Sequence, residues 1–95
     1  ASDAVDAQAH ARHVHGLLEP DAGRAVDLLR DAADAYERLE MAVFAARAMV
    51  DAAWATARHG IGDPRPLLER ARERLIACDA KLFLREVDDE TAALA

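Results

Sequence analysis

Leu28–Phe44, LLRDAADAYERLEMAVF, lies over Leu67–Phe83, LLERARERLIACDAKLF, without a gap, at the offset of 39 residues that separates Leu28 from Leu67. Leu28 and Leu29 fall on Leu67 and Leu68, Ala32 on Ala71, Tyr36 on Leu75, Leu39 on Cys78, Val43 on Leu82 and Phe44 on Phe83. The matches recur at helical spacing with a break near the middle. A period of this length marks stacked helical hairpins, and such arrays bind other proteins more often than they catalyse.

The rest of the chain fits that frame. Its 95 residues make one domain. The hydrophobic fraction is 53%, but 24 of those residues are alanine, so the core must be thin and its helices close together. A domain this small buries only about 60% of its unfolded surface. That favours packing against the rest of a longer protein, or self-association. The start at Ala1 reads as a processed chain or an excised piece of something larger.

The net charge of −6 and pI near 5.1 are a poor footprint for nucleic acid or an anionic membrane. No run approaches the roughly 18 apolar residues of a spanning helix. Residues 1 to 15 carry Asp3, Asp6, His10 and Arg12, unlike a signal peptide. The single Cys78 fits a reducing, cytoplasmic setting. Eleven arginines against one lysine, with so many alanines, suggest a high-GC bacterial genome.

Five helices are expected. The first runs from about Asp3 to Leu18, capped by Ser2 or Asp3, with Val5, Ala9, Val14, Leu17 and Leu18 as its apolar set. The second, capped by Asp21, runs to about Leu39 with Ala25, Leu28, Leu29, Ala32, Tyr36 and Leu39 inward and an Asp34–Arg38 pair outward. The third, about Met41 to Arg58, is apolar nearly all round. Before Arg58 it carries only Arg47 and Asp51 as charges, so it should be the spine. Gly60 suits its left-handed end. Asp63 and Pro64 open the fourth, with Leu67, Leu68, Ala71, Leu75 and Cys78 inward. The fifth, about Leu82 to Leu94, begins with Leu82, Phe83 and Val87 and turns acidic at Asp88-Asp89-Glu90. No segment alternates long enough for a strand.

Ala25-x3-Leu29-x2-Ala32 has the small–large–small spacing of a tetratricopeptide second helix. AVDLLRDAADAYERLEM and GDPRPLLERARERLIACDA resemble the degenerate tetratricopeptide repeats of large actinobacterial signalling proteins. In those families helical repeats follow an ATPase or cyclase module and often precede a DNA-binding domain. The resemblance covers about residues 9 to 94. It departs in a period of 39 rather than about 34, in the missing aromatic of the first helix and in Pro64 at a small-residue position. It implies an all-α stack of two hairpins plus a capping helix, with the first, third and fifth helices lining a groove. His10, His13 and Leu17, then Met49, Ala52 and Thr56, become the expected lining.

Candidate chemistry is sparse. His10 and His13 share a helix face, but His15 points elsewhere and zinc needs three or four ligands. The carboxylates lie on solvent faces, and neither a nucleophile motif nor a phosphate loop is legible. No cofactor and no enzyme activity are expected. Cys78 reads as an inert core thiol, Trp54 as core, and Arg70, Arg72 and Arg74 as a solvated face interleaved with Glu69 and Glu73. The expected role is interaction with another protein or a neighbouring domain, in signalling or transcription control. Two rivals stand beside it. One is a homodimer through Val5, Leu17, Leu84 and Leu94; the other is a small-molecule or metal sensor built between the helices.

Overall fold

The structure, a computed structural model, describes the backbone of residues 2–94 and the side chains of residues 6–94. Among the described residues five helices make up the fold: α1 (Ser2–Leu18), α2 (Ala22–Arg38), α3 (Ala42–His59), α4 (Arg65–Ala77) and α5 (Lys81–Leu94). The caps expected at Ser2 or Asp3, and Val5, lie outside the described side chains.

Local signals set the boundaries. Asp21 has an extended backbone, and its Oδ1 accepts the Arg24 N–H at 2.9 Å, which caps α2. Asp63 accepts the Arg65 N–H at 3.0 Å at the start of α4. Its carboxylate also holds the Arg65 guanidinium at 2.9 Å, and that hydrogen bond keeps the Asp63 carboxyl below its ordinary range. α3 ends on Gly60 at φ 62°, with the Ile61 N–H bonded to the Thr56 carbonyl at 3.1 Å.

The repeat seen in the sequence recurs in the backbone. Glu40 ends α2 at φ 58° and Asp79 ends α4 at φ 56°, both left-handed without being glycine. Met41 N–H bonds Tyr36 C=O at 2.9 Å, and Ala80 N–H bonds Leu75 C=O at 3.0 Å. Glu40 N–H bonds Glu37 C=O at 3.0 Å, and Asp79 N–H bonds Ile76 C=O at 3.1 Å. Every partner in the second joint lies 39 positions after its counterpart, as Asp79 follows Glu40. Both joints are Schellman motifs, and they turn the chain by the same path.

Successive helices pack as antiparallel hairpins, and α3 also packs on α5. Side chains join α1 to α3 through His13 and Asp51, and α2 to α4 through Glu37 with Arg70 and Arg74. The odd helices therefore form one layer and the even helices a second. The Cα extents of 41 × 34 × 16 Å agree: two helix layers about 8–10 Å apart, with Cα radii of about 2.3 Å, span roughly 14 Å.

The core runs through α3, where Ala45, Ala46, Ala48, Ala52, Ala53 and Ala55 are buried around Met49. Small side chains let α2 and α4 approach closely, and Tyr36, Leu29, Leu68 and Leu75 fill the remainder. α1 faces inward differently from the expectation. Val14, Leu17 and Leu18 are exposed, at 54%, 57% and 76%, while Ala9, Gly16, His10 and His13 turn toward the core. Gly16 causes this. A Cβ there would stand 2.7 Å from Leu29 Cγ and 3.2 Å from the Leu29 backbone nitrogen, so α1 lies against α2 on its small-residue face.

Other expectations are corrected in α4 and α5. Cys78 is exposed, because α4 ends at Ala77 and the inward stripe stops at Leu75. Leu82 is 71% exposed, while Val87 and the half-buried Phe83 carry the packing of α5. Arg70 and Arg74 each reach Glu37 of α2 at 3.2 Å, and Arg72 reaches Asp88 of α5 at 3.0 Å. The arginine run is thus a set of ties between helices. Asp34 faces Arg70 at 4.0 Å rather than pairing within α2.

Glu40→Gly and Asp79→Gly should each raise stability by about 0.5–1 kcal/mol in urea unfolding, since glycine relieves the left-handed strain. Gly16→Ala should lower it by about 1–2 kcal/mol, although alanine is the better helix former. A gain in stability at position 16 would contradict the close α1–α2 contact.

Candidate functional site

Val43, Ala46, Arg47, Val50 and Asp51 recur at helical spacing, so they share one face of α3. That face looks across to Phe83, Glu86, Val87, Asp89 and Glu90 of α5, with Leu75 of α4 behind, and the space between is a cleft of about 330 Å³. Its floor is apolar and its rim is charged. The Arg47 guanidinium lies 5.8 Å from the Phe83 ring centroid, and the Trp54 indole N–H donates to Glu90 across the two helices.

The α1–α3 interface repeats this construction. The His10 ring meets Phe44 at 5.1 Å, edge to face, and His13 Nε2 stands 2.6 Å from Asp51 Oδ2. Phe44 corresponds to Phe83 and Asp51 to Glu90 at the same offset of 39. The first interface is nevertheless filled. Tyr36, fully buried, stands where the second repeat has Leu75, and its ring packs on both histidines at 5.2 and 5.7 Å. At the second interface Leu75 lies behind the cleft, and the positions that match His10 and His13 at the offset of 39 are the buried Met49 and Ala52.

A polar chain runs through the filled interface. Asp51 can only accept as a carboxylate, so His13 Nε2 carries the proton between them. His13 Nδ1 stands 3.1 Å from the Tyr36 hydroxyl, which in turn stands 2.8 Å from His10 Nδ1. With His13 neutral, Tyr36 donates to His13 and accepts from His10. With His13 protonated, Tyr36 accepts from His13 and donates to His10. Burial first, and the Asp51 charge second, push the Tyr36 phenol above its ordinary pKa of 10.0. The phenol has no solvent access, and Asp51, on the cleft rim, is the reachable end of the chain.

The expected lining residues divide. His10 and His13 are half-buried and engaged with Tyr36, and Leu17 is exposed at the end of α1. Met49, Ala52 and Thr56 are not accessible groove residues: all three are buried, because they occupy the face of α3 pressed against its neighbours. Thr56 donates to the Ala52 carbonyl at 2.8 Å and borders a separate cleft beneath the loop at residues 60–64, with Val26, Ile61 and Leu67. Of the odd helices α3 and α5 line the cleft, on the adjacent face of α3, and α1 contributes no residue to it. The sequence carried a signal for that face, since Arg47 and Asp51 are the only charges in α3 before Arg58 and both stand on the rim. His15 pairs with Glu19 at 3.3 Å, away from the other two histidines. Among the described residues no three His, Cys, Asp or Glu side chains converge as a metal site, and no helix is long and apolar enough to cross a membrane.

Tyr36 is the only tyrosine, so tyrosinate absorbance reads it alone. Its midpoint should lie above 10.0 in the folded protein and return to the ordinary value in denaturant. The folded state holds this proton more tightly, so the associated stability is present below the unfolded pKa and is lost as pH rises through the folded one. Asp51→Asn should lower the midpoint but leave it raised, because burial is the larger cause. Tyr36→Phe should cost about 1–3 kcal/mol by stranding His13 and His10. A folded midpoint at or below 10.0 would contradict the buried chain.

No protein-family model, curated protein or solved structure matches this chain.

Proposed function

We propose that the chain is a tetratricopeptide-like interaction module that binds a partner protein, or a neighbouring domain of the same protein, through the α3–α5 cleft. On this reading it contributes no chemistry of its own. It works in the cytoplasm as a regulatory or scaffolding part of a bacterial signalling or transcription-regulating protein. The observation that carries the reading is the cleft itself: an apolar floor with a charged rim, held between two helices that the repeat places side by side. The volume of about 330 Å³ is at the small end for ligand pockets and suits one or two apolar side chains of a protein partner. The resemblance to actinobacterial helical repeats supports the biological setting.

Site-specific photocrosslinking in cells is the test. A photoreactive residue in place of the exposed Glu86, beside the cleft, should give a discrete adduct with one protein or domain. The same group in place of Asp27, exposed on α2, should not. Equal or absent adducts at both positions would overturn the reading.

One observation favours homodimerisation as a second reading. Val14, Leu17 and Leu18 form an exposed apolar stripe on one side of α1. Of the other dimer candidates, Leu84 and Leu94 pack against the core instead. Light scattering across a concentration series decides between the readings. The interaction-module reading expects 10.3 kDa throughout. A dimer that Leu17→Glu with Leu18→Glu dissolves would put self-association first.

A further inference from the structure

We infer that the occupant of the α3–α5 cleft is a cationic amphipathic helix of another protein, its apolar side chains on the cleft floor and its Lys or Arg heads on the rim. The inference rests on the reading of the cleft as an interaction site and adds the chemistry of the partner.

The rim is strongly one-sided. Four carboxylates, Asp51, Glu86, Asp89 and Glu90, line the cleft with the single guanidinium of Arg47, and of these Asp51 is already bonded to His13. Arg47 is turned over the Phe83 ring, so its charge sits at one end of the cleft. Glu90 accepts an uncharged indole N–H and keeps its own charge. Glu86 and Asp89 are exposed to solvent. Within a low-dielectric concavity like charges reinforce one another and raise the local concentration of cations. The floor, by contrast, offers the half-buried Val43, Val50 and Phe83 to apolar contact.

Together these features select a helix with apolar anchors at i and i+3 or i+4 and basic residues flanking them. Lys and Arg suit such an edge because their aliphatic stems cover apolar surface while their heads reach the carboxylates. The chain's net charge of −6 acts in the same direction, repelling a second copy and attracting a basic partner.

Trp54, the only tryptophan, reports on the rim through its bond to Glu90. Its fluorescence can be titrated with three synthetic peptides lacking aromatics: an amphipathic Leu/Lys helix, its Leu/Glu counterpart, and a Leu/Lys scramble without an apolar face. Only the first should saturate, with affinity falling as salt rises. Glu86→Lys with Asp89→Lys should weaken it about tenfold or more. Asp27→Lys with Asp31→Lys, an equal charge change on exposed α2 positions, should leave it within about twofold. Circular dichroism establishes that both double variants are folded.

Equal binding of the scramble, or equal loss in both double variants, would mean unspecific charge attraction and overturn the inference. So would saturation by the Leu/Glu helix, no saturation by any peptide, or a self-dimer that the Leu/Lys helix displaces. The photocrosslink at position 86 remains separate: an adduct there with a non-basic partner would sink this inference and leave the interaction module standing.

Discussion

Everything in this fold depends on the close approach that alanine allows around α3. Six of its alanines are buried, with Met49 as the one large side chain fully enclosed among them. A helix surfaced with single methyl groups loses little side-chain entropy on packing, but its contacts work only at short range. Its neighbours must therefore come near, and each does so by its own means. α2 and α4 bring Leu29, Tyr36, Leu68 and Leu75 into the gaps, and α1 in turn closes on α2 with Gly16 against Leu29. Arginine ties from α4 to α2 and α5 brace the outside, each adding little alone.

The repeat then frames the cleft. Glu40 and Asp79 take the same left-handed conformation and set the same joint twice, once before α3 and once before α5. An aromatic residue and a carboxylate two turns later repeat with them, as Phe44 with Asp51 and Phe83 with Glu90. The two interfaces differ in what lies behind them. Tyr36 packs with its two histidines behind the first, and Leu75 lies behind the cleft at the second.

Much of this was legible in the sequence, for identifiable reasons. Asp21, Gly60 and Asp63 are local signals whose chemistry acts within a few residues, and the helices begin and end beside them. The offset of 39 survived because core positions and joints recur together. The inward face of α1 was not legible, since Gly16 acts through Leu29 in another helix and leaves Val14, Leu17 and Leu18 outside. The joints at Glu40 and Asp79 lack the glycine that normally announces a left-handed residue. The tetratricopeptide resemblance implies a groove lined by Met49, Ala52 and Thr56, and periodicity cannot correct it, because it does not rank the faces of a helix that is apolar all round. Its two isolated charges could have done so.

Native-state hydrogen exchange, resolved by residue, tests the role of α3 most directly. If α3 is the spine, the amides between Ala45 and Ala55 exchange only through global unfolding, while α1 and α5, each flanked on fewer sides, open at lower free energy. Exchange of those α3 amides as fast as the amides of α5 would show that α3 does not hold the stack together, and that the cleft has no fixed wall.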